Sequence, residues 1–109
     1  MSDMTRKERR RSRRVRMKQT LRVRPSNPKD TPFEEIGATK DVSQDGVYFV
    51  TQRDAYCEGM RLHVTVPYHA PFSQQNYEYL GQVVRVDDLG TNERGIAIRF
   101  LSSANKKSA

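Results

Sequence analysis

The chain has 109 residues, a formal net charge of +7 and a hydrophobic content of 35%. A chain of this length forms one small domain, and its one cysteine, Cys57, excludes an intramolecular disulfide and a cysteine-based metal site. No apolar run approaches the roughly 18 residues of a membrane span, and no apolar signal-peptide core follows the basic N-terminus. We therefore expect a single cytoplasmic domain without a membrane partner.

The positive charge is concentrated in an N-terminal arm. Residues 6–16 contain eight Lys or Arg side chains and one Glu, so this stretch alone accounts for the net charge of +7. Runs of like charge with little apolar content stay solvated and flexible until a partner orders them. An anionic ligand should therefore bind the arm. Composition alone leaves a nonspecific nucleic-acid arm or a solubilising tail as alternatives.

Alternation of apolar and polar residues predicts six short β-strands in the rest of the chain. Segments rich in proline, glycine or other turn residues separate them, and no amphipathic helix is indicated. Closure removes exposed edges from so small a sheet. We predict an all-β protein, a single six-stranded antiparallel β-barrel with a flexible basic N-terminal arm. The predicted strands begin near Gln19, Glu34, Val47, Met60, Tyr79 and Gly95.

The predicted domain boundaries follow from this pattern. The arm covers residues 1–18, the barrel covers residues 19–103, and residues 104–109 form a frayed tail. In the fifth strand, simple alternation places Val84 and Val86 on one face, and Val83 and Arg85 on the other.

A short polar segment, residues 41–46, lies in the predicted connection between the second and third strands. Its sequence is Asp41-Val42-Ser43-Gln44-Asp45-Gly46. Asp41 can accept hydrogen bonds from guanine N1–H and N2–H, Ser43 can bond a base or a phosphate, and Gly46 permits close approach of backbone N–H groups. The alternative is that Asp41 and Ser43 only cap the turn, and that Gly46 is a hairpin glycine.

Arginine side chains in the arm suit the same kind of ligand, because guanidinium groups bind phosphates and the O6/N7 edge of guanine. The arm contains the spacing Arg-x-x-x-Arg at Arg10-Arg11-Ser12-Arg13-Arg14, followed by Val15. Together the arm and residues 41–46 indicate a guanine nucleotide.

These two segments resemble the pattern of the PilZ domain family, the bacterial receptor module for cyclic di-GMP. That pattern is Arg-x-x-x-Arg in a flexible N-terminal segment, then Asp/Asn-x-Ser-x-x-Gly after the second strand of a β-barrel. Residues 83–86 and 95–100 also resemble the end of the family's barrel. Arg6/Arg10 and Arg9/Arg13 have the same spacing, but family members commonly carry Val after the second arginine, which favours Arg10/Arg14.

The resemblance implies a ligand-binding set, which is Arg9, Arg10, Arg14, Asp41, Ser43 and Gly46. Arg10 and Arg14 would clamp cyclic di-GMP, and Arg9 would stack on a second guanine so that the ligand is held as an intercalated dimer. The implied function is that of a receptor or adaptor whose arm orders on the barrel and relays the signal to an unidentified downstream protein. Motility, biofilm, polysaccharide or virulence control are the processes implied.

Two other function classes stay open. One is a small β-barrel that binds nucleic acid through its basic arm, although the tyrosines are scattered and form no evident stacking row. The other is a PilZ-like adaptor that binds protein and no nucleotide. We expect no enzyme, cofactor, metal or catalytic residue, because Asp41 and Asp45 have no nearby acid–base partner and His63 and His69 lack metal-ligand spacing.

Overall fold

A computed structural model describes residues 18–69 and 76–102, together with the backbone of residues 105–106. These residues form strands that match the predicted ones closely in position. The strands are β1 (Thr20–Pro25), β2 (Glu35–Val42), β3 (Gly46–Thr51), β4 (Arg61–Thr65), β5 (Tyr77–Gly90), β6 (Glu93–Phe100) and the short β7 (Asn105–Lys106).

The strands close into a barrel. Their order is β4-β1-β2-β3-β6-β5, and β5 pairs back onto β4, with every pairing antiparallel. The short β7 pairs with the start of β5 at Tyr77 and Glu78. The predicted fold class, an all-β antiparallel barrel of six strands, is confirmed. Within the described residues there is no helix that could cross a membrane.

The barrel interior is filled by the inward-facing residues of the alternating strands. Phe49 and Ile96 are both 0% exposed, and burial of side chains of this size contributes roughly 1.5–3 kcal/mol each. Branched aliphatic side chains pack around them, because they fit the pleated surface of a strand. The most deeply buried of these are Leu21, Val23, Leu62, Val64, Val83 and Ile98.

A hydrogen-bonded carboxylate lies at the start of β2. Glu35, at the start of β2, accepts bonds from the Thr51 hydroxyl at 2.6 Å and the Tyr56 hydroxyl at 2.7 Å. Arg53 Nε lies 3.4 Å from the same carboxylate. Burial, followed by the hydrogen bond and negative charge of Glu35, raises the pKa of Tyr56. This network lies at the opposite end of β2 from residues 41–46.

Three register shifts interrupt the alternation, one at the end of β5 between Asp88 and Gly90 and two β-bulges further inside the strands. In β2, Thr39 pairs with Phe49 and Asp41 pairs with Tyr48, so Lys40 is an extra residue. In β5, Val83 pairs with Ile98 and Arg85 pairs with Ala97, so Val84 is an extra residue. A bulge moves every later side chain of the strand to the opposite face.

The bulge in β5 corrects the predicted pattern of that strand. Val84 is 47% exposed, whereas Val86 packs against the core on the same side as Val83. Simple alternation had placed Val84 and Val86 together and had sent Arg85 to the face of Val83. The extra residue instead sends Arg85 to the outer face.

Candidate ligand-binding cleft

A row of four side chains crosses the outer face of the barrel. Asp41 on β2 is paired with Tyr48 on β3, Tyr48 with Ala97 on β6, and Ala97 with Arg85 on β5. Residues directly opposite each other in a sheet share a face. Without the two bulges Asp41 and Arg85 would point inward, so the bulges are what put an anion and a cation into this row.

The turn between β2 and β3 forms one wall beside this row. The Ser43 hydroxyl accepts bonds from Asp45 N at 3.1 Å and Gly46 N at 3.2 Å, and Ser43 N donates to the Gly46 carbonyl oxygen at 3.0 Å. Phe100 N donates to the Asp45 carbonyl oxygen at 2.8 Å, which ties the turn to the end of β6. Ser43 therefore caps the turn, one of the two roles that its sequence position allows.

Gly46 has a packing role. A Cβ at this position would clash with the carbonyl oxygen of Ile98 on β6. The Gly46 N–H already donates to Ser43. Glycine is required here because β3 and β6 approach closely, and the rigid turn that results holds residues 41–45 at the edge of the outer face.

Asp41 is placed differently from Ser43. Its carboxylate makes no hydrogen bond or ion pair with any residue in the described part of the chain. It lines the wall of the cleft and is half-buried. The carboxylate is thus available to a ligand, and the turn-capping alternative does not describe it.

The row and the turn enclose a cleft of about 260 Å³. Pockets that enclose a drug-sized ligand are roughly 300–1,000 Å³, so this cleft fits only part of a dinucleotide. Its charged lining is balanced between carboxylates and guanidinium groups. The polar and charged residues of the lining are Asp41, Ser43, Asp45, Tyr48, Arg85 and Arg99.

Tyr48 forms part of the floor. Its ring lies over Gly95, where a Cβ would clash with the Tyr48 hydroxyl. The hydroxyl donates to Asp87 Oδ2 at 3.1 Å, and burial together with Asp87 raises the pKa of Tyr48. The glycine therefore lets an aromatic ring lie flat against the sheet, where a planar ligand group can contact it.

The arm joins the barrel beside the cleft. Gln19 N donates to Thr39 Oγ1 at 2.9 Å, and Thr39 N donates to the Gln19 carbonyl oxygen at 2.8 Å. Lys18 shares a shallow depression with Asp41 and Tyr48. Lys18, the described residue of the arm, therefore lies next to the predicted ligand site.

The structure brings three of the six predicted site residues together, because Asp41, Ser43 and Gly46 line one cleft. The other three, Arg9, Arg10 and Arg14, lie outside the described residues. Sequence reasoning missed Arg85 and Arg99 as members of the cleft. Neither arginine stands out in the sequence, because each occupies an ordinary position in an alternating strand. Only the bulge in β5, which the sequence does not reveal, turns Arg85 to the outer face.

Metal binding finds no support in the described part of the chain. No cluster of three or more His, Cys, Asp or Glu side chains that could hold a metal ion occurs there.

Comparison with known proteins agrees with this architecture. The solved structure of the inhibitor of motility (MotI/DgrA) from Bacillus subtilis is similar to this chain, with a TM-score of 0.62 and 17% sequence identity. The similarity covers 87% of this chain and 44% of that one, so the chain spans less than half of that protein's length. At this identity the likeness concerns the fold. No curated protein sequence matches the chain. A family model described as PilZ domain matches residues 8–108, and the chain therefore belongs to the PilZ domain family.

Proposed function

We propose that this PilZ domain is a cyclic di-GMP receptor or adaptor whose arginine-rich arm closes over the cleft when the ligand binds. Membership of the family supports a receptor or adaptor role in general. The observation that carries the specific proposal is the position of the arm. Its junction with the barrel at Gln19 is bonded to Thr39, two residues before Asp41.

Covalent geometry lets the arm reach the ligand. Arg14 is four residues before Lys18, and four extended residues span at most about 14 Å. Arg10 is eight residues before Lys18, so its reach is about 28 Å. The cleft lies beside Lys18, so both arginines can fold back onto a ligand seated against Asp41.

The proposed roles follow from the chemistry of each group. Asp41, which has no partner in the described part of the chain, accepts from guanine N1–H and N2–H. Ser43 contacts the base or a phosphate from the turn, and Gly46 keeps the turn close to β6. Arg10 and Arg14 bind phosphate bidentately or present their guanidinium forks to guanine.

The size of the cleft supports a switch in preference to a preformed pocket. At about 260 Å³ the cleft holds part of a dinucleotide, and the arm supplies the remaining contacts. Ordering the arm costs about 1–2 kcal/mol per residue for the backbone. The phosphates and bases must both be bound to offset that cost, and this requirement couples ligand binding to arm closure.

Arm closure changes the surface that the barrel presents. Lys18 and Leu89 line the same shallow depression on the outer face, and Leu89 is 47% exposed. An arm that folds across this region alters what a second protein can contact. The signal thereby passes to a downstream protein, in a process such as the control of motility, biofilm, polysaccharide or virulence.

Isothermal titration of the full chain with cyclic di-GMP at physiological salt tests the proposal, with GMP and short single-stranded DNA as competitors. Saturable binding that neither competitor displaces at an equal concentration supports it, and Asp41→Ala should weaken that binding. Salt-sensitive DNA binding without a response to cyclic di-GMP would assign the arm to nucleic acid. Binding of neither would leave an adaptor that uses no nucleotide.

A further inference from the structure

The β5 end of the cleft has a cation that a neighbouring carboxylate holds in place. Arg85 Nε donates to Asp87 Oδ1 at 2.9 Å and to Oδ2 at 3.2 Å. The Tyr48 hydroxyl donates to the same Oδ2 at 3.1 Å. The guanidinium carbon of Arg85 lies 5.8 Å from the centre of the Tyr48 ring. One carboxylate therefore orients both a guanidinium group and an aromatic ring of the cleft.

Most of the donor capacity of Arg85 is left for a ligand. A guanidinium group has five N–H donors, and Asp87 engages only the one on Nε. Besides Asp87, the Arg85 side chain interacts with the Tyr48 hydroxyl within the described ranges. The Arg85 side chain lines the cleft and is 55% exposed, so the Nη N–H groups that Tyr48 does not engage are accessible.

Asp87 itself is not part of the cleft lining. Its side chain is 32% exposed and contacts both Arg85 and Tyr48. A carboxylate outside the lining can fix the direction of the guanidinium group without occupying the ligand's space.

The spacing of the row suits a nucleotide. Asp41 and Arg85 lie at its two ends, separated by Tyr48 and Ala97, and three strand spacings place their Cα atoms about 14 Å apart. Because the side chain of Ala97 is small, it leaves space for a ligand above the middle of the row. A guanine with its Watson–Crick edge at Asp41 can therefore extend its sugar and phosphate towards Arg85.

We propose that Arg85 forms a phosphate subsite of the cleft and that Asp87 is its positioning residue. The Nη groups of Arg85 bind a nucleotide phosphate, Arg99 adds a second positive charge, and the Tyr48 ring supports the adjoining sugar or base. This inference rests on the proposed function for the identity of the whole ligand. The subsite itself requires only a guanine nucleotide with a phosphate.

Nitrogen-15 NMR of the arginine Nε–H groups of the full chain tests the subsite directly. The Arg85 resonance is assigned by its loss in Arg85→Lys. Titration with GMP should shift this resonance, and titration with guanosine, which lacks the phosphate, should leave it in place. Cyclic di-GMP should shift it as GMP does. If neither phosphate-bearing ligand moves the Arg85 signal, the subsite is wrong.

A double-mutant cycle tests the positioning role. Asp87→Ala should weaken GMP binding about tenfold, because the guanidinium group loses a charged hydrogen-bond partner. In an Arg85→Ala background the same change should weaken binding much less, since Asp87 acts mainly through Arg85 and only its bond with Tyr48 is then lost. Asp88→Asn is the matched control, because Asp88 accepts only from Gly90 N at its own turn and an amide oxygen preserves that bond. Equal losses from Asp87→Ala in both backgrounds would overturn the positioning role.

The outcomes separate this inference from the proposed function. A phosphate-dependent shift of Arg85 with GMP, without saturable binding of cyclic di-GMP, would retain the subsite and reject the receptor. Binding of cyclic di-GMP without a response at Arg85 would retain the receptor and reject the subsite.

Discussion

Gln19 and Thr39 are joined by two hydrogen bonds, one from Gln19 N to Thr39 Oγ1 at 2.9 Å and one from Thr39 N to the Gln19 carbonyl oxygen at 2.8 Å. The first of these uses a side chain to fix the main chain at the base of the arm. Thr39 is 2% exposed and immediately precedes the bulge that turns Asp41 outward. The start of the arm and the position of Asp41 therefore depend on the same residue.

Thr39→Val should weaken the coupling between the arm and the cleft. The substitution keeps the shape of the side chain but removes the acceptor of the Gln19 N–H, so we expect a loss of about 1–2 kcal/mol in the free energy of unfolding. Affinity for cyclic di-GMP should also fall, because the arm no longer starts from a fixed point. Urea denaturation and isothermal titration measure the two effects. Thr20→Val, at an exposed position on β1, is the control and should change neither.

Gly46→Ala should destabilise the barrel even without a ligand. The added methyl group would meet the Ile98 carbonyl oxygen, so β3 and β6 must separate, and overpacking of this kind costs about 1–3 kcal/mol. Thermal or urea denaturation of the ligand-free protein measures the loss. Gly37→Ala is the matched control, because its methyl group would lie 3.7 Å from Leu21 in ordinary contact. Equal stability of the two variants would contradict a packing role for Gly46.

Strand alternation made the fold predictable from sequence. Leu62 and Val64, like Ile96 and Ile98, alternate with polar or small residues, and this pattern requires a sheet with one buried face. The turn at residues 41–46 was also recognisable, because Asp, Ser and Gly residues between two strands are typical of a turn. These features are local, so each can be recognised in a short stretch of sequence.

The parts of the site that could not be predicted from the sequence depend on pairing between strands that are distant from each other along the chain. Lys40 and Val84 are the extra residues of the two bulges, and neither has an unusual side chain for a strand. Only the register with Phe49 and Ile98 reveals them. For the same reason Arg85 could not be assigned to the cleft, since alternation alone places it on the face of Val83, which the structure shows to be buried.

Tyr56→Phe should change how stability depends on alkaline pH. The pKa of Tyr56 is raised in the folded state, so its contribution to stability is fully present below the ordinary value of 10.0 and is lost as pH rises above it, because the unfolded chain ionises first. Between pH 9 and 11 this contribution falls by about 1.4 kcal/mol. The variant should lose correspondingly less stability over this interval than the wild type does.

Urea denaturation at pH 7, 9 and 11 measures this difference. At pH 7 the variant should be less stable by about 1–2 kcal/mol, because Glu35 loses the hydrogen bond from the Tyr56 hydroxyl. Tyr77→Phe, at a residue that is 40% exposed, should retain the alkaline slope of the wild type. A parallel slope for Tyr56→Phe would show that Glu35 and burial do not hold the Tyr56 proton.

Arg14→Ala should weaken cyclic di-GMP binding about 100-fold, because a bidentate guanidinium contact with a phosphate or with guanine is lost. Arg10→Ala should have a similar effect, since both belong to the chosen Arg-x-x-x-Arg register. Isothermal titration at physiological salt measures both. Arg13→Ala removes the same charge from the arm and should change affinity by less than about threefold. Wild-type affinity in Arg14→Ala, with a large loss in Arg13→Ala, would move the register to Arg9/Arg13.

Arg9 should determine how many ligand molecules are held. We predict that the wild-type chain binds two molecules of cyclic di-GMP as an intercalated pair, with the Arg9 guanidinium group stacked on the outer guanine. Arg9→Ala should then bind one, because the second molecule loses its stacking partner while the first keeps Arg10, Arg14 and Asp41. Titration at protein concentrations well above the dissociation constant gives the stoichiometry of each form. Saturation of the wild type at one ligand per chain would exclude the pair. Arg9→Lys keeps the charge without the planar group, so it should also bind one molecule if stacking is the cause.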